Sequence, residues 1–219
     1  MSEASIDPVQ IKAILGRVAE TLKTAEMGRD IFLSEHDDRK LSGLRNAIVF
    51  GRQVTFVMQT MRGRLPGFEQ WYAPFQEEMK HDPLMAYFVQ LRNEIEKEGK
   101  LTTNTMVSFA DFTPAAVYEH SPPPPGTTQL CIGDQLGRSF YIVPQPDGND
   151  IKYFISLPSE IVSSNIMLDK VPMVHLGSER GDLNAAEALQ LYFDYLYGLF
   201  AKLQFFALGT LGKLRTDTP

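Results

Sequence analysis

Between Leu189 and Leu208 the chain carries apolar and aromatic residues on every side of a helical wheel. Leu189, Tyr192, Phe193, Tyr195, Leu196, Tyr197, Leu199, Phe200 and Leu203 fall within about four turns. A helix apolar all round must be covered all round. A membrane could do that, but a span needs about 20 mostly uncharged residues, and Asp194, Lys202 and Gln204 interrupt this stretch. The segment therefore reads as the buried last helix of a soluble protein, and the rest of the chain must supply what surrounds it.

The first hundred residues are suited to that. Asp7-Pro8 pairs a capping carboxylate with proline at the first helical position. Ile11, Ile14, Leu15, Val18 and Leu22 then recur at helical spacing, predicting a first helix to about residue 30. The polar break Ser34-Glu35-His36-Asp37-Asp38 leads into a second helix, expected over about 38–63 and ended by Leu65-Pro66-Gly67. Phe68, Trp71, Tyr72, Phe75 and Met79 mark a third. Asp82-Pro83 repeats the cap-plus-proline start, and Leu84, Phe88, Leu91 and Ile95 outline a fourth helix that stops at Gly99.

Beyond Gly99 the pattern changes. Thr102, Thr103, Thr105, Val107 and Phe109 favour a strand. The run Pro122-Pro123-Pro124-Pro125-Gly126 is a stiff connector that no sheet interior accepts. Residues 129–132, 138–143 and 151–155, separated by Gly133-Asp134-Gln135-Leu136-Gly137 and Asp147-Gly148-Asn149-Asp150, have the punctuation of an antiparallel meander. Residues 157–181 read as loops, with Pro158, Pro172, Gly177 and Gly181. Asn184 and Glu187 then resemble a capping box that opens the last helix. The expected fold is α+β: mainly a helical bundle of about five helices, with a small antiparallel β-sheet inserted before the last. We expect a single domain over 1–219, in which 1–99 and 182–213 form the bundle and 100–181 the inserted meander and loops.

Composition limits the function classes. A hydrophobic share of 43% excludes a disordered chain. The net charge of −6 disfavours broad attraction to nucleic acid. Cys131 stands alone, so no internal disulfide forms, and its apolar neighbours make it a buried thiol. The start Met1-Ser2-Glu3-Ala4 lacks the pattern of a signal peptide, which predicts a cytoplasmic protein. His36, His81, His120 and His175 have no metal-ligand spacing, so neither a metal nor a cofactor is expected.

The most pointed feature is an Arg-Asn pair on each of two helices: Arg45-Asn46 on the second and Arg92-Asn93 on the fourth. Antiparallel packing could bring the pairs together at the bundle edge, with Lys97 nearby. Arginine offers planar, permanently charged donors and asparagine both donates and accepts, so such a group suits a phosphate. The alternative is an intrahelical ion pair of Arg92 with Glu96 and a structural Asn93.

Paired helices with Arg-Asn near the end of the later one resemble the HEPN superfamily (higher eukaryotes and prokaryotes nucleotide-binding). The resemblance implies a helical bundle that often dimerises and, in many members, acts as a metal-independent ribonuclease. The family motif continues with a histidine four to six residues after the arginine. Here Lys97, Glu98 and Gly99 stand in that window. The chain also has the general look of a bacterial protein. Two functions follow as expectations. The first is a non-catalytic HEPN-like binding protein, dimeric or a subunit of a larger assembly, which meets a second copy or a protein partner through its apolar C-terminal helix. The second is a ribonuclease or nucleotide-processing enzyme using Arg92 and Asn93, with His120, His175 or a second protomer completing the site.

Overall fold

A computed structural model describes residues 7–34, 37–110 and 113–216, with side chains through Gly212. The expectations about Met1–Ala4 and His36 fall outside these residues. Within them the protein is α+β. The order is α1 (Pro8–Leu33), α2 (Lys40–Gln59), α3 (Phe68–His81), α4 (Pro83–Glu98), β1 (Thr103–Phe109), α5 (Pro114–His120), β2 (Gln129–Cys131), β3 (Ser139–Pro144), β4 (Asp150–Ile155), β5 (Val162–Leu168), β6 (Val174–His175), β7 (Ser178–Glu179) and α6 (Ala185–Thr216).

Local chemistry sets the helix ends. Asp7 accepts from the amides of Val9 and Gln10, and Asp82 from that of Met85. Gly99 ends α4 at φ 65°, a conformation that costs glycine nothing. The capping box is complete: Asn184 Oδ1 accepts from the Glu187 amide and Glu187 Oε2 from the Asn184 amide, both at 2.9 Å.

The two N-terminal helices form a tight antiparallel hairpin. A Cβ on Gly28 would lie 2.6 Å from Ala47 N, and one on Gly43 would lie 2.6 Å from Gly28 O. Backbones approach here as no side chain would allow. The last helix then crosses the bundle. Tyr192 stacks on Phe88 of α4 with centroids 4.3 Å apart and lies against Gly51 of α2. One hydrophobic cluster runs through α1–α4 and α6 and takes in Ile166 and Leu168 of β5.

The described residues correct the expected element list in three places. There are six helices among them, because Thr113-Pro114 opens the short α5. The Thr113 hydroxyl accepts from the Ala116 amide, but seven residues with one buried side chain, Val117, are too few to show a period. The stretch read as loops contains β5, paired antiparallel with β1 from Thr103–Leu168 to Phe109–Val162. Ser163-Ser164-Asn165 in its middle hides the strand from a reading by propensity. Finally, β6 and β7 form a two-residue hairpin. The meander has the expected order β2-β3-β4. Arg138 anchors it to the α1–α2 connection by bonding Asp134 (2.8 and 3.0 Å) and Asp38. Cys131 is half-buried.

Candidate functional sites

The two Arg-Asn pairs sit on helices that do run antiparallel, but the register keeps them apart. Arg45 Nη1 donates to Gly99 O (2.8 Å), at the C-terminal end of α4. Arg92 instead faces Phe56, its guanidinium 5.6 Å from the ring centroid, and Arg52 lies over the same ring at 4.4 Å. Among the described residues no hydrogen bond or ion pair joins Arg45 or Asn46 to Arg92 or Asn93. Arg92 spends its donors locally: Nη2 lies 2.5 Å from Glu96 and Nη1 donates to Asn93 Oδ1 (3.0 Å). Its buried Nε has no partner. Asn46 and Lys97 are exposed. A phosphate reaching Arg92 would have to displace the Glu96 carboxylate.

The described histidines lie elsewhere. His81 is exposed beside Glu77. His175 is 3% exposed and bonded to Asp82, with Nδ1 to Oδ1 at 3.0 Å. Asp82 begins α4, and ten residues of helix, about 15 Å, separate it from Arg92. Among the described residues no histidine bonds to Arg92 or Asn93, and no group of three or more His, Cys, Asp or Glu is placed to hold a metal ion.

No spacing in the sequence points to the Asp82–His175 pair. The sequence marks Asp82 as a cap, which it is, and His175 as a loop residue. The link between them spans 93 positions. Its local cause is the β6–β7 hairpin, whose two turn residues, Leu176 and Gly177, both have positive φ (48° and 72°). That is the turn whose twist matches a tight hairpin, though a leucine rarely occupies it. The strain is held in place because the Leu176 amide donates to Asp82 Oδ2 at 2.5 Å. One carboxylate thus accepts from the Met85 amide, the Leu176 amide and the imidazole.

His175 lines a cleft of about 490 Å³ between α3, α6 and the hairpin. Phe75, Leu191 and Leu199 form its apolar wall, and Arg180, Asp194 and Lys202 stand at its edges. Tyr195 donates to Glu78 (2.8 Å) across it. Burial, and then the Glu78 carboxylate, push the Tyr195 phenol well above its ordinary value, so it remains a donor at neutral pH.

A second, more apolar groove of about 800 Å³ runs along the end of α6, lined by Trp71, Phe75, Phe205 and Phe206. Trp71 and Phe206 stack at 4.9 Å. Beyond residue 200 only Leu203 and Ala207 of this helix are buried among the residues whose side chains are described. Phe205 is 83% exposed and Leu208 58%. Ala201, Phe205, Leu208, Gly209 and Gly212 follow helical spacing on one side, so the all-round apolar helix is covered along its first part and bare along its last. No described helix is long and apolar enough to cross a membrane.

The family described as bacteriophage lambda protein ea47 matches residues 35–127, less than half of the chain. The protein ea47 of Escherichia phage lambda is 43% identical over 51 residues, which cover 23% of this chain and 12% of that relative. No solved structure matches. The family match runs from just before α2 to just before β2, a stretch that holds both Arg-Asn pairs and Asp82 but neither His175 nor α6.

Proposed function

We propose that this protein acts by binding and not by catalysis. In this reading residues 1–219 are a single HEPN-like helical domain that pairs with a second copy of itself, alone or within a larger assembly, in the cytoplasm of a bacterial cell. The observation that carries it is the bare face at the end of α6. Phe205 and Leu208 project from it, while Ala201, Gly209 and Gly212 leave room beside them, and a Cβ on either glycine would meet nothing within 4 Å. Bulky and bare positions on one helix face suit an interface in which a second copy presents the same face across a two-fold axis. An apolar surface of that kind left open to water is unfavourable, and a second copy would cover it.

The self-contained bonding of Arg92 supports the non-catalytic part. Its Nη1 is bonded to Asn93 and its Nη2 paired with Glu96, so a phosphate would have to displace the Glu96 carboxylate. The net charge of −6 also opposes nucleic acid as the partner. The test is incubation of RNA with purified protein in the absence of metal, beside an Arg92→Ala Asn93→Ala variant. We expect intact RNA with both. Cleavage by the parent that the variant lacks would overturn the reading in favour of a ribonuclease.

A further inference from the structure

We propose that the cleft floored by His175 binds a small organic anion with an apolar body, a carboxylate or a phosphate ester. This goes beyond the pairing of two copies, which uses Phe205 and Leu208 further along α6.

The imidazole is the first reason. Asp82 fixes its Nδ1 and is itself held by two backbone amides, so the ring has one orientation. Among the described residues Nε2 has no hydrogen-bond partner, although the side chain is only 4% exposed and lines the cleft. The ring lines the cleft, where water or a ligand can supply the bond that Nε2 lacks within the protein. Both the pinned ring and the strained Leu176 that helps pin it are features of sites where position matters more than stability.

Charge at the edges is the second reason. Each carboxylate there is engaged by a neutral donor: Glu78 by the Tyr195 hydroxyl and Asp194 by Gln190 Nε2 (2.7 Å). Among the described residues neither Arg180 nor Lys202 is paired with a carboxylate, and Lys202 lies 5.2 Å over the Phe75 ring. Arg180 and Lys202 thus lack a charged partner at the edge of the cleft, and an anion would supply one. The wall of Phe75, Leu191 and Leu199 suits an apolar body, and Gly198, where a Cβ would meet nothing within 4 Å, leaves the wall open. About 490 Å³ is ample for a molecule of this kind.

The test uses the whole protein with its histidine rings labelled, and four probes: benzoate, phenyl phosphate, inorganic phosphate and benzyl alcohol. We expect saturable movement of the His175 ring signals with benzoate, phenyl phosphate or both, the responding probe telling which anion is preferred. Inorganic phosphate lacks the body and benzyl alcohol the charge, so each should bind at least about tenfold more weakly. Arg180→Gln Lys202→Gln, two changes at the rim of the cleft, should weaken the responding anion by about tenfold or more. Silence of the His175 signals towards both anions at about 20 mM, or equal binding by the double variant, would overturn the proposal. A Phe205→Ser variant, which adds no charge beside Lys202, should bind the anion unchanged, and this separates failure of this inference from failure of the pairing.

Discussion

Asp82 and His175, 93 positions apart, share a hydrogen bond of 3.0 Å in which the helix cap of α4 also holds the β6–β7 hairpin. The bond joins the N-terminal bundle to the segment that precedes the last helix. Removing the carboxylate should therefore cost more than a cap. Asp82→Ala loses the Met85 bond, worth about 1 kcal/mol, and leaves the Leu176 amide and a buried imidazole without acceptors, about 1–3 kcal/mol more. We predict a total loss of about 3 kcal/mol in urea unfolding, against about 1 kcal/mol or less for Asp7→Ala, an exposed cap with no second duty.

The α1–α2 hairpin gives a second prediction from its glycines. Gly43→Ala would put a methyl 2.6 Å from Gly28 O and 2.8 Å from Phe32 N, both backbone atoms that cannot swing away. Separating the helices should cost about 1–3 kcal/mol. Gly16 lies on α1 of the same hairpin, but a Cβ there would meet nothing within 4 Å, so Gly16→Ala should stabilise by about 0.5–1 kcal/mol. Thermal unfolding of the two variants should move in opposite directions.

Arg138 carries the pH prediction. Burial raises the Asp134 carboxyl, but the Arg138 side chain and the amides of Arg138 and Leu136 outweigh it and hold the group below the ordinary carboxylate value. A folded value below the unfolded one means a contribution that is whole above about pH 4 and lost as the pH falls through the folded value. Asp134→Asn should thus lower stability by about 2 kcal/mol at pH 7, with the gap to the parent closing in acid. Urea midpoints measured from pH 7 down to about pH 2 would show a constant gap if the ion pair contributed nothing.

Much of this fold is legible in the chain, for physical reasons that differ from element to element. Asp7-Pro8, Asp82-Pro83 and Asn184 with Glu187 announce helices because their side chains bond the nearest amides, which is local chemistry. The strand β5 is hidden because its polar middle, Ser163-Ser164-Asn165, takes its place only by pairing with β1, about sixty residues earlier. The candidate cleft is hidden for a similar reason: no spacing in the chain links His175 to Asp82, and only the hairpin that bends at Leu176 brings them together. The Arg-Asn pairs are visible and their helices pack antiparallel, yet register, which sequence does not carry, sets Arg45 beside Gly99 and Arg92 beside Phe56.

The self-pairing of α6 is the central claim, and the molar mass in solution tests it most directly. Light scattering at micromolar concentration should give about twice the mass of one chain for the parent protein, and the single-chain mass for Phe205→Glu, a change at a position 83% exposed that should leave the fold intact. A parent protein that runs as a monomer, or a Phe205→Glu variant that remains a dimer, would contradict it.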